Sequence, residues 1–191
     1  MSLLQYLVDT EQYLMVDIWA ENGDPRVTWL PLMTTARVPT FIMISYLLFV
    51  LYLGPRLMAK REAFKLKAVL LVYNICMSSF NAYVVFYLLS DFGYHAPRML
   101  NPIWPPHSDT SPKTMELIFY NYLYIASKFV DLLDTVFFVL RKKDSQITGL
   151  HVYHHWTVAY LGWMGFRMNG SCDIAAPFAL ANGLVHTLMY R

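Results

Sequence analysis

Five stretches of the chain are apolar almost without interruption: residues 38–54, 68–90, 117–140, 147–166 and 174–190. The first two contain no Asp, Glu, Lys or Arg. The third carries Lys128, Asp131 and Asp134, the fourth holds three histidines, and the fifth holds His186. A helix needs roughly 17–25 residues to cross a bilayer, so the first and last stretches sit at the short limit. Helices are expected because each backbone polar group in lipid must be satisfied within its own segment. The pattern therefore predicts an all-α, polytopic membrane helix bundle with five spans. Before it, Leu3, Leu7, Leu14 and Ile18 recur at helical spacing and predict a short interfacial helix. Asp9, Glu11 and Asp17 in that region argue against a cleavable signal peptide, which starts with a basic segment. Pro25 and Pro31 interrupt the approach to the first span. Residues 1–36 thus read as an N-terminal segment, and residues 37–191 as a transmembrane bundle.

Composition sharpens this reading. Hydrophobic residues make up 57% of the chain and charged residues only 15%, against about 25% charged in a typical soluble domain. Mean hydropathy is +0.36. These values exclude a disordered chain, a nucleic-acid-binding protein and a water-soluble globule. Cys76 and Cys172 are too few for a disulfide scaffold or a cysteine-rich metal site. Net charge is +2, but its distribution matters more. Residues 1–36 hold five acids and one base, Arg26. The loop after the first span holds Arg56, Lys60, Arg61, Lys65 and Lys67 against Glu62, and the loop after the third span opens with Arg141, Lys142 and Lys143. Basic ends stay cytosolic, which puts the N-terminus on the lumenal side and alternates consistently across the five crossings.

Ionisable groups within spans are costly and usually functional. At 1.5 Å per residue from the cytosolic ends, Asp134 lies about 9 Å deep and Asp131 about 14 Å. His151, His154 and His155 fall at about 6–12 Å, and His186 at about 6 Å. Three spans are thus expected to contribute two carboxylates and four imidazoles to one layer. In HVYHH, His151 precedes His154 by three residues and His155 by four, so all three share a helical face. Lys128, Asp131 and Asp134 follow one another at i, i+3, a spacing that equally suits an internal ion-pair ladder. Tyr153 and Trp104 read as packing or interfacial-belt residues. The Asn169–Gly170–Ser171 sequon lies in a loop too short and too close to the membrane for glycosylation.

Several chemistries compete for these residues. Zinc-peptidase spacing fails because Val152 follows the first histidine where HExxH needs Glu. Membrane di-iron desaturases and hydroxylases use HxxHH boxes, but two irons need about eight histidines, and this chain has six, His95 and His107 being placed in the opposite loop. A haem between His154 and His186 would leave two imidazoles unexplained. A transporter or proton relay predicts polar groups through the full depth, not in one half. Metal-free acid–base or nucleophilic chemistry fits best.

The segments KFVDLLDT (128–135), HVYHH (151–155) and NGLVHTLMY (182–190), with DPRVTWLPLM and GPRLMAKREAFKLKAVLLVYN upstream, resemble the fatty-acid elongases. These are the 3-ketoacyl-CoA synthases of the endoplasmic reticulum. The resemblance implies seven helices around an acyl tunnel and an acyltransferase that condenses acyl-CoA with malonyl-CoA, releasing CO2 and CoA. It implies no cofactor and no metal, and as partners the bilayer, other elongation-cycle enzymes or a second copy of the chain. Two departures stand out. Asp131 occupies a position where the family usually has Glu, one methylene longer. The chain also stops before two further helices and a Gln-containing box, so it is expected to be an N-terminal part, inactive by itself.

The expected roles follow from the chemistry. Malonyl-CoA decarboxylation makes an enolate that must attack an acyl carbonyl. No thiol belongs to the box, Cys172 being placed at the lumenal end and Cys76 alone on the second span. Either the acyl-CoA thioester is attacked directly or an acyl-imidazole forms. His154 is the favoured nucleophile, with His151 or His155 donating to the enolate oxygen. Asp134 is expected to orient a ring N–H, and His186 with Asn182 to polarise a thioester carbonyl. Lys128 and Asp131 complete the candidate set. Lys60, Arg61, Arg141, Lys142 and Lys143 are candidate contacts for CoA phosphates.

Overall fold

The computed structural model describes residues 2–101, 104–171 and 176–189, and every regular element among them is a helix. In chain order these are α1 (Leu3–Gln12), α2 (Ile18–Asn22), α3 (Arg37–Leu48), α4 (Gly54–Ala59), α5 (Lys67–Ser90), α6 (Phe92–Leu100), α7 (Pro112–Val130), α8 (Leu132–Leu140), α9 (Gly149–Met168) and α10 (Ala176–Met189). Two continuous helices are long and apolar enough to cross a membrane: Arg37–Ala59 and Lys67–Ser90. Five spans were expected; none of the other three stretches forms a single long apolar helix among the described residues, for local reasons. The third stretch is divided into α7 and α8 by a turn at Asp131. The apolar character of α9 is diluted by three histidines and Arg167, and α10 has 14 residues.

The first crossing helix shows how sequence shapes geometry. Pro55 has no N–H to give the Leu51 carbonyl, so the preceding turn widens into a π-segment over Phe49–Leu53, and Gly54 N–H bonds Phe49 O instead. A Cβ on Gly54 would lie 2.6 Å from Val139 Cγ1. The missing side chain is therefore what lets α4 lie against α8.

The described residues form two compact units. The first comprises Met1–Ala63 and Pro106–Gly170. Its apolar core joins Met43, Tyr46 and Val50 to Met58, Leu132, Val139, Val152 and Ala159. Leu3, Leu7 and Leu14, the face expected to be interfacial, are exposed.

At the other end of this unit a buried polar network fastens the N-terminal segment to α9. Asp24 accepts from Arg26 Nε at 2.9 Å, Arg26 Nη2 at 2.7 Å and Gly170 N–H at 3.0 Å. Arg26 Nη1 also donates to the carbonyls of Pro106 and Asp109, at 3.2 and 2.7 Å. Arg167 donates to Asp24 O at 2.9 Å and Trp19 O at 2.6 Å. Gly23 leaves the space that the Arg167 guanidinium fills. Trp163 donates from Nε1 to the carbonyl of Leu32, which is held at φ 68°. The sequon's Asn169 is buried, and Gly170 accepts from Asn121 Nδ2 through its carbonyl while its N–H donates to Asp24.

The second unit comprises Phe64–Pro105 and Ser171–Arg191. Here α5 packs on α10, with Gly183 against Val85 and Ser78 Oγ donating to the Thr187 carbonyl at 3.0 Å. Asn81 is fully buried on α5, and His95 on α6 lies edge-on to Tyr87 and Tyr94.

Candidate active site

The histidines of HVYHH owe their placement to the start of α9. Thr148 caps that helix by accepting the His151 N–H at 3.1 Å, so His151 falls in the first turn and His154 and His155 in the next. The rings form a cluster: His151 and His155 centroids are 4.3 Å apart, and His154 and His155 lie 5.7 Å apart and nearly perpendicular. His155 is buried, while His151 and His154 are half-buried. Phe138 covers His151 with ring centroids 5.4 Å apart.

Helix α8 supplies the facing polar groups. Asp134 and Thr135 are both buried. Thr135 Oγ1 lies 2.9 Å from His151 Nε2 and, on its other side, 2.9 Å from Tyr46 Oη of α3. A phenol, a hydroxyl and an imidazole thus form one hydrogen-bonded chain across three helices. Neither Tyr46 nor Thr135 was assigned a role by sequence reasoning. Thr135 stood inside the first box but its partner is on another helix, and nothing in the pattern marks Tyr46 apart from other aromatic residues.

Lys128 Nζ meets Asp131 Oδ2 at 2.6 Å, with side chains 2% and 3% exposed. Asp131 ends α7 and starts α8: its N–H bonds Ser127 O at 2.9 Å, and its carbonyl accepts from Asp134 N–H at 3.1 Å. The ion pair therefore sits at the break in the third stretch, one turn before Asp134 and Thr135. The expected ladder is real in its first rung.

His186 and Asn182 lie on α10 in the second unit, with His186 buried. Lys60 and Arg61 follow the C-terminal end of α4, and Arg141, Lys142 and Lys143 follow that of α8, both in the first unit. Lys142 takes a left-handed conformation (φ 54°), and its N–H and that of Lys143 close the last turn of α8 onto Val139 O and Phe138 O. Cys76 is exposed on α5. Cys172 and Tyr190 lie outside the described residues. Among the described residues no group of three His, Cys, Asp or Glu side chains is arranged to hold a metal ion.

The described residues are helical, with two helices long and apolar enough to cross a membrane and an imidazole cluster beside a pair of buried hydroxyls, a combination consistent with a helical membrane protein. Its family is defined by sequence: the chain belongs to the ELO, or GNS1/SUR4, family, whose profile matches residues 31–191. It is 35% identical over 171 residues to very long chain fatty acid elongase 1 of Homo sapiens, covering 89% of this chain and 60% of that protein. It is 37% identical over 176 residues to very long chain fatty acid elongase 7 of Rattus norvegicus, covering 91% and 61%. Very long chain fatty acid elongase F of Drosophila melanogaster matches at 36% over 161 residues, covering 84% and 62%. The chain thus spans about three fifths of the length of these curated relatives. Family membership favours neither the desaturase nor the transporter reading.

Proposed function

We propose that this chain carries the histidine site of a condensing enzyme of fatty-acid elongation, which joins a long-chain acyl-CoA to malonyl-CoA to give 3-ketoacyl-CoA, CO2 and CoA. The observation that carries the reading is the HVYHH cluster: three imidazoles on adjacent turns of α9, one bonded to Thr135 of α8, in a chain whose relatives are named very long chain fatty acid elongases. The proposed setting is the endoplasmic reticulum membrane, with the N-terminus lumenal and the basic ends of α4 and α8 in the cytosol, where CoA is delivered. Lys60, Arg61, Arg141, Lys142 and Lys143 are then cations within reach of CoA phosphates. Other elongation-cycle enzymes, or a second copy of the chain, are its proposed partners.

In this reading the bare ring nitrogen of His154 attacks the acyl thioester carbonyl. The carbonyl carbon gains a bond to nitrogen, the C–S bond breaks, and CoA departs as a thiol with the ring proton. Malonyl-CoA then loses CO2, and its enolate carbon attacks the acyl-imidazole: the new C–C bond forms, the C–N bond breaks, and the departing imidazolate takes a proton from water to return as the neutral imidazole. A ring N–H of His151 or His155 stabilises oxyanion charge. Asp134 orients a ring N–H. Lys128 and Asp131 act by holding the α7–α8 break that aims Asp134 and Thr135.

The test uses the complete natural protein in proteoliposomes with acyl-CoA and labelled malonyl-CoA. The expected result is labelled 3-ketoacyl-CoA that persists after chelator treatment. Stoichiometric iron with chelator-sensitive desaturation or hydroxylation would refute the proposal.

A further inference from the structure

The chain of contacts Tyr46–Thr135–His151 contains more information than its distances. Thr135 Oγ1 lies 2.9 Å from both Tyr46 Oη and His151 Nε2, and Tyr46 and Thr135 are buried among α3, α8 and α9. Two hydroxyl hydrogens and one ring proton must be distributed over these atoms, and three arrangements are possible.

In the first, His151 Nε2–H donates to Thr135 and Thr135 donates to Tyr46, leaving the phenolic hydrogen with no acceptor among the described residues. In the second, Tyr46 and His151 both donate to Thr135, leaving the threonine hydrogen without one. In the third, Tyr46 donates to Thr135 and Thr135 donates to a bare His151 Nε2. Only there does each hydroxyl hydrogen have an acceptor, and a buried donor left without one is the costlier fault. What stays unfilled on the two hydroxyls is acceptor capacity alone, on the Tyr46 and Thr135 oxygens.

We infer that Tyr46 and Thr135 are positioning residues that hold His151 as its Nδ1–H tautomer, so that His151 offers the site a proton donor and not a nucleophilic nitrogen. The inference rests on the proposed condensation for its catalytic meaning, but the tautomer itself belongs to the fold. It separates two roles that the spacing of HVYHH leaves open. The nitrogen that Thr135 occupies cannot attack a thioester, which removes His151 as the nucleophile and agrees with the proposed attack by His154. The proton fixed on Nδ1 is a donor for the carbonyl or enolate oxygen as negative charge develops there.

The experiment has two arms. In the first, 15N spectra of histidine-labelled chain, with the His151 signal identified by its loss in His151→Gln, read which ring nitrogen carries the proton, without substrate. The expected spectrum shows a bare Nε2 and a protonated Nδ1. Thr135→Val, which keeps shape but removes the hydroxyl, should shift His151 to a mixture of tautomers. Thr135→Ser should restore the parent spectrum, and Tyr46→Phe should shift it partway. A proton on Nε2 in the parent protein, or an unchanged spectrum in Thr135→Val, would overturn the relay.

The second arm measures the complete natural protein. Thr135→Val should lower kcat for condensation about a hundredfold, in the range of a lost oxyanion donor. The KM for acyl-CoA and the burst of CoA released from acyl-CoA alone should be unchanged, and Thr135→Ser should recover activity. Equal loss of burst and condensation would mean that Thr135 serves folding or nucleophile placement, and would overturn the assigned role. A parent enzyme that neither bursts nor elongates would refute the proposed function, while the 15N spectrum still decides the relay.

Discussion

The carboxylate of Asp24 offers a direct measure of how firmly the N-terminal segment is held. Asp24→Asn keeps the side chain's size and one carbonyl oxygen but removes the charge. In the parent, burial alone would raise the Asp24 pKa, but the Arg26 guanidinium, the Arg26 N–H and the Gly170 N–H outweigh it and hold the carboxyl below its ordinary range. With Asn, one atom facing those donors becomes a donor itself, and the Arg26 guanidinium loses its counter-charge. Breaking a buried pair from one side costs about 3–5 kcal/mol. Arg26 retains its bonds to the carbonyls of Pro106 and Asp109, which favours the lower end. A loss of about 3 kcal/mol corresponds to a fall of about 6–12 °C in the unfolding midpoint of a chain this size. Thermal unfolding in detergent, followed by near-ultraviolet circular dichroism of Trp19 and Trp163, reads it directly, since those rings pack beside the network, tilted at 59° with centroids 4.9 Å apart. The pH dependence has a definite sign. A carboxylate whose folded pKa is depressed stabilises above its unfolded value, about 3.9, and that contribution is lost as pH falls through the lower folded value. The parent should therefore lose an acid-sensitive increment that Asp24→Asn lacks. Glu11→Gln, which breaks the exposed pair with Arg37, should leave the midpoint unchanged. An Asp24→Asn protein as stable as the parent would refute the idea that this carboxylate fastens the segment.

Legibility in the sequence tracked the range of the interaction. The stretches 38–54 and 68–90 contain no charge, and both lie within helices long enough to cross. The i, i+3 and i, i+4 spacing in HVYHH is a property of one helix, and α9 carries all three imidazoles. The Lys128–Asp131 contact was foreseeable for the same reason. The turn at Asp131 was not, because an i, i+3 spacing of polar residues fits a continuous helix and says nothing about where that helix changes direction. The role of Arg167 was not legible because its acceptors are the backbone carbonyls of Asp24 and Trp19. Those acceptors have no side-chain signature, and the Arg167–Asp24 contact joins residues 143 positions apart. The relay through Thr135 needs three helices packed together, so a hydroxyl already inside the first box passed unremarked.

Three further tests address packing, chemistry and the ion pair. Gly54→Ala would press a methyl to 2.6 Å from Val139 Cγ1 and 2.8 Å from the Phe49 carbonyl, costing about 1–3 kcal/mol. Adding Val139→Ala should recover only part, since the backbone clash stays, and a thermal double-mutant cycle measures the share. In the complete natural protein, His154→Ala should abolish both the CoA burst from acyl-CoA alone and turnover, whereas Cys76→Ala should preserve both; a burst lost only in Cys76→Ala would move the nucleophile to α5. The ion pair gives the last test, because a buried pair can be removed in two ways with opposite consequences. Asp131→Ala removes the carboxylate bonded to the Lys128 ammonium, in a site where that side chain is 2% exposed, at an expected cost of about 3–5 kcal/mol. Asp131→Glu, which restores the residue usual in the elongases, keeps the charge and should cost less than about 3 kcal/mol for the extra methylene. Lys128→Met with Asp131→Leu removes both charges and should recover most of the midpoint lost in Asp131→Ala, because well-packed apolar side chains need no counter-charge. If Asp131→Ala unfolds at the parent's temperature, the pair does not hold the α7–α8 break, and the positioning role given to Lys128 and Asp131 fails with it.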